Sequence, residues 1–359
     1  MLNIFCIRPK GFNVGNDAIF MGLQAAIAEA FDSFVNLISI PATSRYESQA
    51  KAGLTSRTVH EINQFGHGVI VGGGNLYENG ELDVNLEALK KLEPPLMLFS
   101  LSRGRIYNRL DKLVDRTDVM SDTILTGLNR QATWSLARDT ATLDHLQGLG
   151  LDHVRLGGCP TIFLDRMRSQ FPEVPDRDRR TTLVSVRNPQ LMNISLQRQI
   201  GVAAQVRAII ALLRERGHDD VRLLCHDHRD IPFAASLAEP YVYIQEPHAY
   251  LALLNSCRLN VTYRVHSALP CMALGTPFIK LSYDERAISL MDTVGYGDWN
   301  IDIVKDPDVP AAVADRMSRL DQLPGLRETA APVWERLRAT QDGALRGFAS
   351  AVREFAAQG

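Results

Sequence analysis

The chain has 359 residues, more than one hydrophobic core usually serves, so two domains of roughly 150 to 180 residues are expected. Hydrophobic residues make up 45% and charged residues 22%, an ordinary globular balance, and no apolar run reaches the ~20 residues of a membrane helix. A formal net charge of −2 excludes a global cationic field for nucleic acid or anionic membrane, so any anion must be held by a local patch.

Short apolar runs alternate with amphipathic stretches from end to end, the pattern of α/β folds with mainly parallel sheets. Met1–Ile7 lacks a charged start and a long apolar stretch, so it reads as a first strand and not as a signal peptide. Further strands are expected at Val35–Ile40, Gly68–Val71, Leu96–Leu101 and Thr133–Ala137, with helical periodicity over Asn16–Phe31 and Thr140–Leu149. Charge and proline crowd Asp165–Arg180, which reads as an exposed linker. A second unit then begins, with strands at Thr182–Val186, Val221–Cys225, Tyr241–Ile244, Asn260–Tyr263 and Phe278–Leu281. Helices near Leu196–Arg216, His248–Ser256, Ser267–Leu274 and Glu285–Val294 separate them. Ala331–Ala357 is helical, with Trp334, Leu337, Leu345, Phe348, Val352 and Phe355 at apolar positions. The expected architecture is α/β: two doubly wound Rossmann-like domains, residues 1–170 and 180–330, face each other across a cleft, and residues 331–359 form a helix that packs across both. Five separated cysteines (Cys6, Cys159, Cys225, Cys257, Cys271) in apolar runs suit buried thiols in a reducing cytosol, and the expected location is cytoplasmic.

Three segments suggest chemistry. Gly11, Phe12, Asn13, Val14, Gly15, Asn16 and Asp17 form a turn between the first strand and its helix, where asparagine or aspartate can cap the helix and glycine admits close approach. A plain N-capped turn explains these residues about as well, and the GxGxxG spacing of a dinucleotide site is missing, which disfavours NAD. In Val69–Leu76 a strand runs into Gly72, Gly73 and Gly74 before Asn75, and the bare backbone suits either an anion or a crowded interface. Arg187 and Arg264 each close a strand, where open α/β sheets bind ligands and a guanidinium grips phosphate or carboxylate by two hydrogen bonds.

His266, followed by Ser267 at the start of a helix, titrates ordinarily near about 6.5 and suits proton transfer at neutral pH. Cys225, His226, Asp227 and His228 hold only a lone His-x-His, too little for a metal site, and read as a polar strand end. Arg138 and Asp139 read as a structural cap or interdomain pair.

Together these pieces resemble the polysaccharide pyruvyl transferase family. The resemblance rests on Asn13-x-Gly15 before Ala18-Ile19, Gly72-Gly73-Gly74-Asn75-Leu76, Leu136-Ala137-Arg138-Asp139 and Gly158-Cys159-Pro160. It continues through Ser185-Val186-Arg187, Arg264-x-His266-Ser267-Ala268-Leu269, Gly275-Thr276-Pro277 and Tyr283-Asp284-Glu285-Arg286. It implies a GT-B-like fold and transfer of an enolpyruvyl-derived group from phosphoenolpyruvate, a co-substrate and not a cofactor, to a sugar or glycan as a pyruvate ketal. In that reading His266 transfers the proton and Arg187 and Arg264 hold the donor's charges. Ser267, Asn13, Gly15, Asn16, Gly73, Gly74 and Asn75 join the substrate site, the glycine-rich segments on the acceptor side. Where the family often has an aspartate after Asn-x-Gly, this chain has Asn16, so Asp17 is the candidate base. The competing readings are a GT-B glycosyltransferase using a nucleotide sugar, with Glu246 on its donor, and a non-catalytic glycan-binding protein. No metal, nucleic acid or membrane span is expected.

Overall fold

The computed structural model describes residues 1–11, 13–45, 51–78 and 80–358. Its first sheet contains β1 (Leu2–Arg8), β2 (Val35–Pro41), β3 (Gly68–Gly74) and β4 (Leu96–Leu101). After a small antiparallel hairpin, β5 (Ile106–Tyr107) and β6 (Leu113–Val114), the sheet is completed by β7 (Trp134–Ala137) and β8 (Arg155–Leu156). The second sheet contains β9 (Thr182–Ser185), β10 (Val221–Cys225), β11 (Tyr241–Tyr243), β12 (Leu259–Thr262), β13 (Phe278–Ser282) and β14 (Asn300–Asp302).

Both sheets are parallel and six-stranded, the first in order β2-β1-β3-β4-β7-β8, the second in order β11-β10-β9-β12-β13-β14. The strand order therefore reverses between β1 and β3 in one sheet and between β9 and β12 in the other, and such reversals open crevices at the carboxyl ends of the strands. Helices cover both faces, so the central strands are mainly apolar and buried throughout: every residue of β3, β4, β9, β12 and β13 is buried.

The helix Val14–Phe31 follows β1, with Asn13 as its N-cap accepting the Gly15 N–H at 3.0 Å. It lies tightly on β3: a Cβ on Gly73, whose φ is +75°, would come within 2.2 Å of Ile19 Cγ2. The glycine run thus answers to helix packing.

A shared apolar core joins Val14, Ala18 and Ile19 of this helix to Leu269 and Met272 of the helix Val265–Leu274 and to Trp334 and Leu337 of the last helix. That last helix, Leu323–Gln358, starts earlier than its apolar periodicity suggests and accommodates Pro332. Trp334 Nε1 donates to the Val294 carbonyl at 2.9 Å, and about two turns later Gln341 Nε2 donates to the Gly157 carbonyl at 2.7 Å. Leu345, Phe348 and Val352 then pack under β1 and β7 with Ile4, Cys6 and Leu136.

The expected linker is partly a structural element. Pro160–Gln170 is 3₁₀-helical, burying Ile162, Leu164 and Met167 in the shared core, while Arg166 and Arg168 turn outward to the Gly22 and Leu274 carbonyls at 3.0 and 2.8 Å. Within the expected linker Asp165–Arg180, Met167 is the one buried residue, and residues 171–180 are exposed or half-buried, as their charge and proline content predicts. Among the described residues no helix is long and apolar enough to cross a membrane.

Candidate active site

The carboxyl ends of the two sheets enclose a cavity of about 580 Å³. Asn13, Asn16, Asn75, Arg116 and Arg138 line it from the first unit, and Arg187, His226, Arg264, His266, Tyr283 and Arg286 from the second.

Its cationic wall follows from strand register. Ser185 of β9 pairs with Thr262 of β12, so Arg187 and Arg264, each two residues further on, emerge side by side. Asp230 lies behind both, 3.3 Å from Arg187 Nη1 and 3.6 Å from Arg264 Nη1, and also accepts the Asn188 N–H at 3.0 Å. Burial first, and then the neighbouring Arg264 charge, pull the Arg187 pKa below its usual value. Such long contacts leave most guanidinium donors available for a ligand.

His266 sits on the first turn of the helix Val265–Leu274, where its carbonyl accepts the Tyr250 hydroxyl at 2.6 Å. Its Nε2 lies 3.3 Å from Arg138 Nη1. A guanidinium only donates, so Nε2 is the acceptor and the neutral ring carries its proton on Nδ1. Burial, followed by the charges of Arg138, Arg264, Arg286 and Lys280, holds the His266 pKa well below its usual range. Gly15 admits this ring: a Cβ there would stand 2.8 Å from His266 Cβ.

His226 closes the cavity floor, and its carbonyl accepts the Val14 N–H at 3.1 Å, joining the two units. Its ring meets Tyr250 edge-on at 5.0 Å, Nε2 has no hydrogen-bond partner among the described residues, and burial, then Arg264, His266 and Arg187, keep it neutral. Beneath the wall, fully buried Lys280 donates to the Leu281 and Tyr263 carbonyls at 2.5 and 3.2 Å, and burial lowers its pKa to about 7.

On the opposite side Arg286 binds Asp284 Oδ2 at 2.6 Å, and Arg116 grips Asp118 at 2.7 and 2.8 Å. Cations thus surround a neutral imidazole, an arrangement that binds a small, multiply charged anion and can pass it a proton once the anion's charge offsets theirs.

Of the sequence candidates, His266, Arg264, Arg187, Asn13, Asn16 and Asn75 line this cavity, and Gly15 touches His266. Four others do not line it. Asp17 points to Arg8, with Oδ1 2.9 Å from Nη1, outside the cavity wall. Ser267 is fully buried by the helical phase that exposes His266, and its Oγ meets Ser185 Oγ at 3.0 Å and accepts from Asn260 Nδ2 at 2.7 Å. Gly73 packs tightly against Ile19, and Gly74 adopts a φ of +97° beside Pro9 that a residue with a side chain rarely takes. Phe12, in the first candidate turn, is outside the described residues. Glu246 is an exposed cap of the helix Pro247–Ser256, accepting the His248 and Ala249 N–H groups at 3.1 and 2.6 Å, and lines neither this cavity nor the second one described below.

Arg138 is the chief residue that sequence reasoning undervalued. Asp139 does cap the helix Thr140–Gly148, accepting the Thr142 N–H at 3.0 Å, but Arg138 reaches across to His266. Its signal was present, an arginine closing a strand as in Arg187 and Arg264. Arg116 lies beyond a two-residue strand and had no such signal.

Solved structures share the fold. S. aureus MnaA in a UDP co-structure matches with TM-score 0.58 and 14% identity over 92% of this chain and 91% of that one. The Methanocaldococcus jannaschii UDP-GlcNAc 2-epimerase complex with UDP-GlcNAc and UDP gives 0.52 and 10%, covering 84% of this chain and 88% of that one. The wall teichoic acid polymerase TagF gives 0.50 and 11%, covering 99% of this chain and 89% of that one. At these identities the likeness shows a GT-B-like fold alone. The polysaccharide pyruvyl transferase model matches residues 13–285, a span that contains the reversal between β9 and β12, Arg187, Arg264 and His266. The chain belongs to the polysaccharide pyruvyl transferase family.

Proposed function

We propose that the chain transfers the enolpyruvyl-derived group of phosphoenolpyruvate to a pair of sugar hydroxyls, forming a pyruvate ketal during polysaccharide or glycoconjugate synthesis. Family membership makes it a transferase with a sugar or glycan acceptor. The observation that carries the donor assignment is the register-paired Arg187 and Arg264 beside the Arg138-bonded His266. Phosphoenolpyruvate carries a phosphate and a carboxylate within a few bonds, and adjacent guanidiniums match such a ligand.

The free site keeps His266 neutral. A bound anion offsets the surrounding guanidiniums, raises the His266 pKa and draws the Arg138 Nη1 donor away from Nε2, which then takes a proton. That proton goes to the donor's methylene carbon, and Arg187 and Arg264 stabilise the charge gathering on the leaving phosphate.

Calorimetric titration of phosphoenolpyruvate into wild type, Arg187→Ala and Arg264→Ala tests this, with UDP-GlcNAc as comparison. Micromolar to low-millimolar binding, lost in the variants, supports the reading. A nucleotide sugar is the second reading, favoured by the likeness to the UDP-bound structures. UDP-GlcNAc binding without phosphoenolpyruvate binding would establish that reading instead. We place the reaction in the cytoplasm, where phosphoenolpyruvate is made, and recovery of the protein in an extracytoplasmic fraction would contradict this.

A further inference from the structure

A second cavity of about 780 Å³ lies in the first unit, within the ~300–1,000 Å³ range of small-molecule sites. Polar groups of Thr55, Ser56, Asn85 and Asp118 line it beside apolar Leu82 and Met120. Glu78 also lines it, although its side chain is 1% exposed. Among the described residues neither carboxylate oxygen receives a hydrogen bond. Oε2 stands 3.2 Å from Arg116 Nη1 and Oε1 3.4 Å from Arg286 Nε, ion-pair contacts out of hydrogen-bonding geometry, because both arginines aim their closer bonds at Asp118 and Asp284. Arg116 and Arg286 line the first cavity, so the Glu78 carboxylate stands where the two cavities adjoin. A buried carboxylate left without donors is expensive unless something else uses it.

We propose that Glu78 is the base that takes the proton of the acceptor hydroxyl, with the acceptor sugar seated in the second cavity and its reacting hydroxyl beside this carboxylate. The inference rests on the pyruvyl-transfer reading. Asp17, the other candidate base, is occupied by Arg8. Burial raises the Glu78 pKa to about 7 against the pull of Arg286, Arg116 and Arg138, with Asp284 pushing it further up, and a base poised there suits neutral pH.

The step balances. The His266 imidazolium proton bonds to the methylene carbon, which becomes a methyl. The hydroxyl oxygen bonds to the adjacent carbon and its proton passes to Glu78. The carbon–oxygen bond to phosphate then breaks with its electron pair on phosphate, the second hydroxyl closes the ketal, and its proton leaves on phosphate. Return of the Glu78 proton to His266 through solvent resets the site.

The test compares wild type, Glu78→Gln and Glu78→Asp by calorimetry with phosphoenolpyruvate and by phosphate release with a panel of methyl hexopyranosides. Glu78→Gln should keep donor affinity within about threefold, lose about 100-fold or more in kcat and lose the acid limb near pH 7, while Glu78→Asp recovers part of the rate. Wild-type turnover in Glu78→Gln overturns the inference, as does donor affinity falling in step with rate, which would make Glu78 only a prop for Arg116 and Arg286. Donor binding without phosphate release on any glycoside also overturns it, leaving the donor assignment intact. Failure of wild type to bind phosphoenolpyruvate at all overturns the pyruvyl-transfer reading itself.

Discussion

The second sheet reverses between β9 and β12 and presents two arginines to the cleft, whereas the first reverses between β1 and β3 and presents an asparagine-capped turn and Asn75. A strand buried on both faces holds charge at least cost where it ends, so the second reversal places Arg187 and Arg264 at its strand ends. The first reversal instead strips side chains from β3 so that the helix Val14–Phe31 can lie close enough for Gly15 to meet His266. The first unit's own cations reach the cavity otherwise, Arg138 from the end of β7 and Arg116 from just beyond the β5–β6 hairpin. That hairpin crosses to the second unit: Arg105 binds Glu285 at 2.5 Å, and Lys305 Nζ donates to the Asp111 carbonyl at 2.7 Å. One reversal thus supplies charge and the other supplies room.

If that division holds, Arg264→Ala should lower phosphoenolpyruvate affinity by about 100-fold, on the order of 3 kcal/mol, with Arg187→Ala of similar size. Lysine at either position should restore part of the loss, since it keeps the charge without the fork. Asn75→Ala on the first sheet should cost less than about tenfold, as a neutral contact does. Equal losses by calorimetry would erase the contrast between the two reversals.

Next in size, Gly73→Ala should destabilise the fold by about 2–3 kcal/mol, because an alanine at φ +75° is strained and its methyl would strike Ile19. Donor affinity, measured below the lowered unfolding midpoint, should stay at the wild-type value. Gly15→Ala should destabilise by about 1–3 kcal/mol and also slow turnover, since its methyl displaces His266. Unfolding curves paired with kcat separate the two glycines, and a Gly73 variant with weakened donor binding would return that glycine to the site.

The central strands were legible because burial on both faces writes them as short, mainly apolar runs. Their order was not, since nothing local in Leu183 or Val261 says that β9 lies beside β12. Arg187 and Arg264 were legible as site residues because the carboxyl end of a strand is itself a position near ligand. Ser267 was misread by sequence adjacency: one residue past His266, the helix turns it toward Ser185 and Asn260. Glu78 drew no attention because Arg116 and Arg286, which give its carboxylate meaning, lie far along the chain. Residues defined by their own position could be read, and residues defined by partners elsewhere in the fold could not.

A smaller effect tests the charge concentrated at the second reversal through His226. Its folded-state pKa lies well below the unfolded value, so it contributes stability above about pH 6.5 that is lost as pH falls toward the folded value. Within that window wild type should lose about 1.4 kcal/mol per pH unit relative to His226→Gln, which cannot titrate. Parallel unfolding midpoints for the two proteins from pH 6.5 to 5 would mean that the histidine is relieved of the arginine charges.

The smallest expected effect concerns Asp17 and asks whether the first reversal carries any catalytic charge. Its carboxylate faces Arg8, with side chains 32% and 17% exposed, and Arg8 also lies 4.3 Å over the Phe20 ring and donates to Ser39 Oγ at 3.0 Å. Arg8 therefore keeps two partners when Asp17→Asn removes the third, and a partly exposed pair contributes about 1 kcal/mol or less. The variant should turn over within about twofold of wild type, with an unchanged pH profile, because Asp17 stands outside the cavity and a group that never meets the reacting atoms has no protonation step to lose. A hundredfold fall in kcat with donor affinity intact would instead make Asp17 the base, move the acceptor from the Glu78 cavity to the amino end of the helix Val14–Phe31, and give the first reversal a charge of its own.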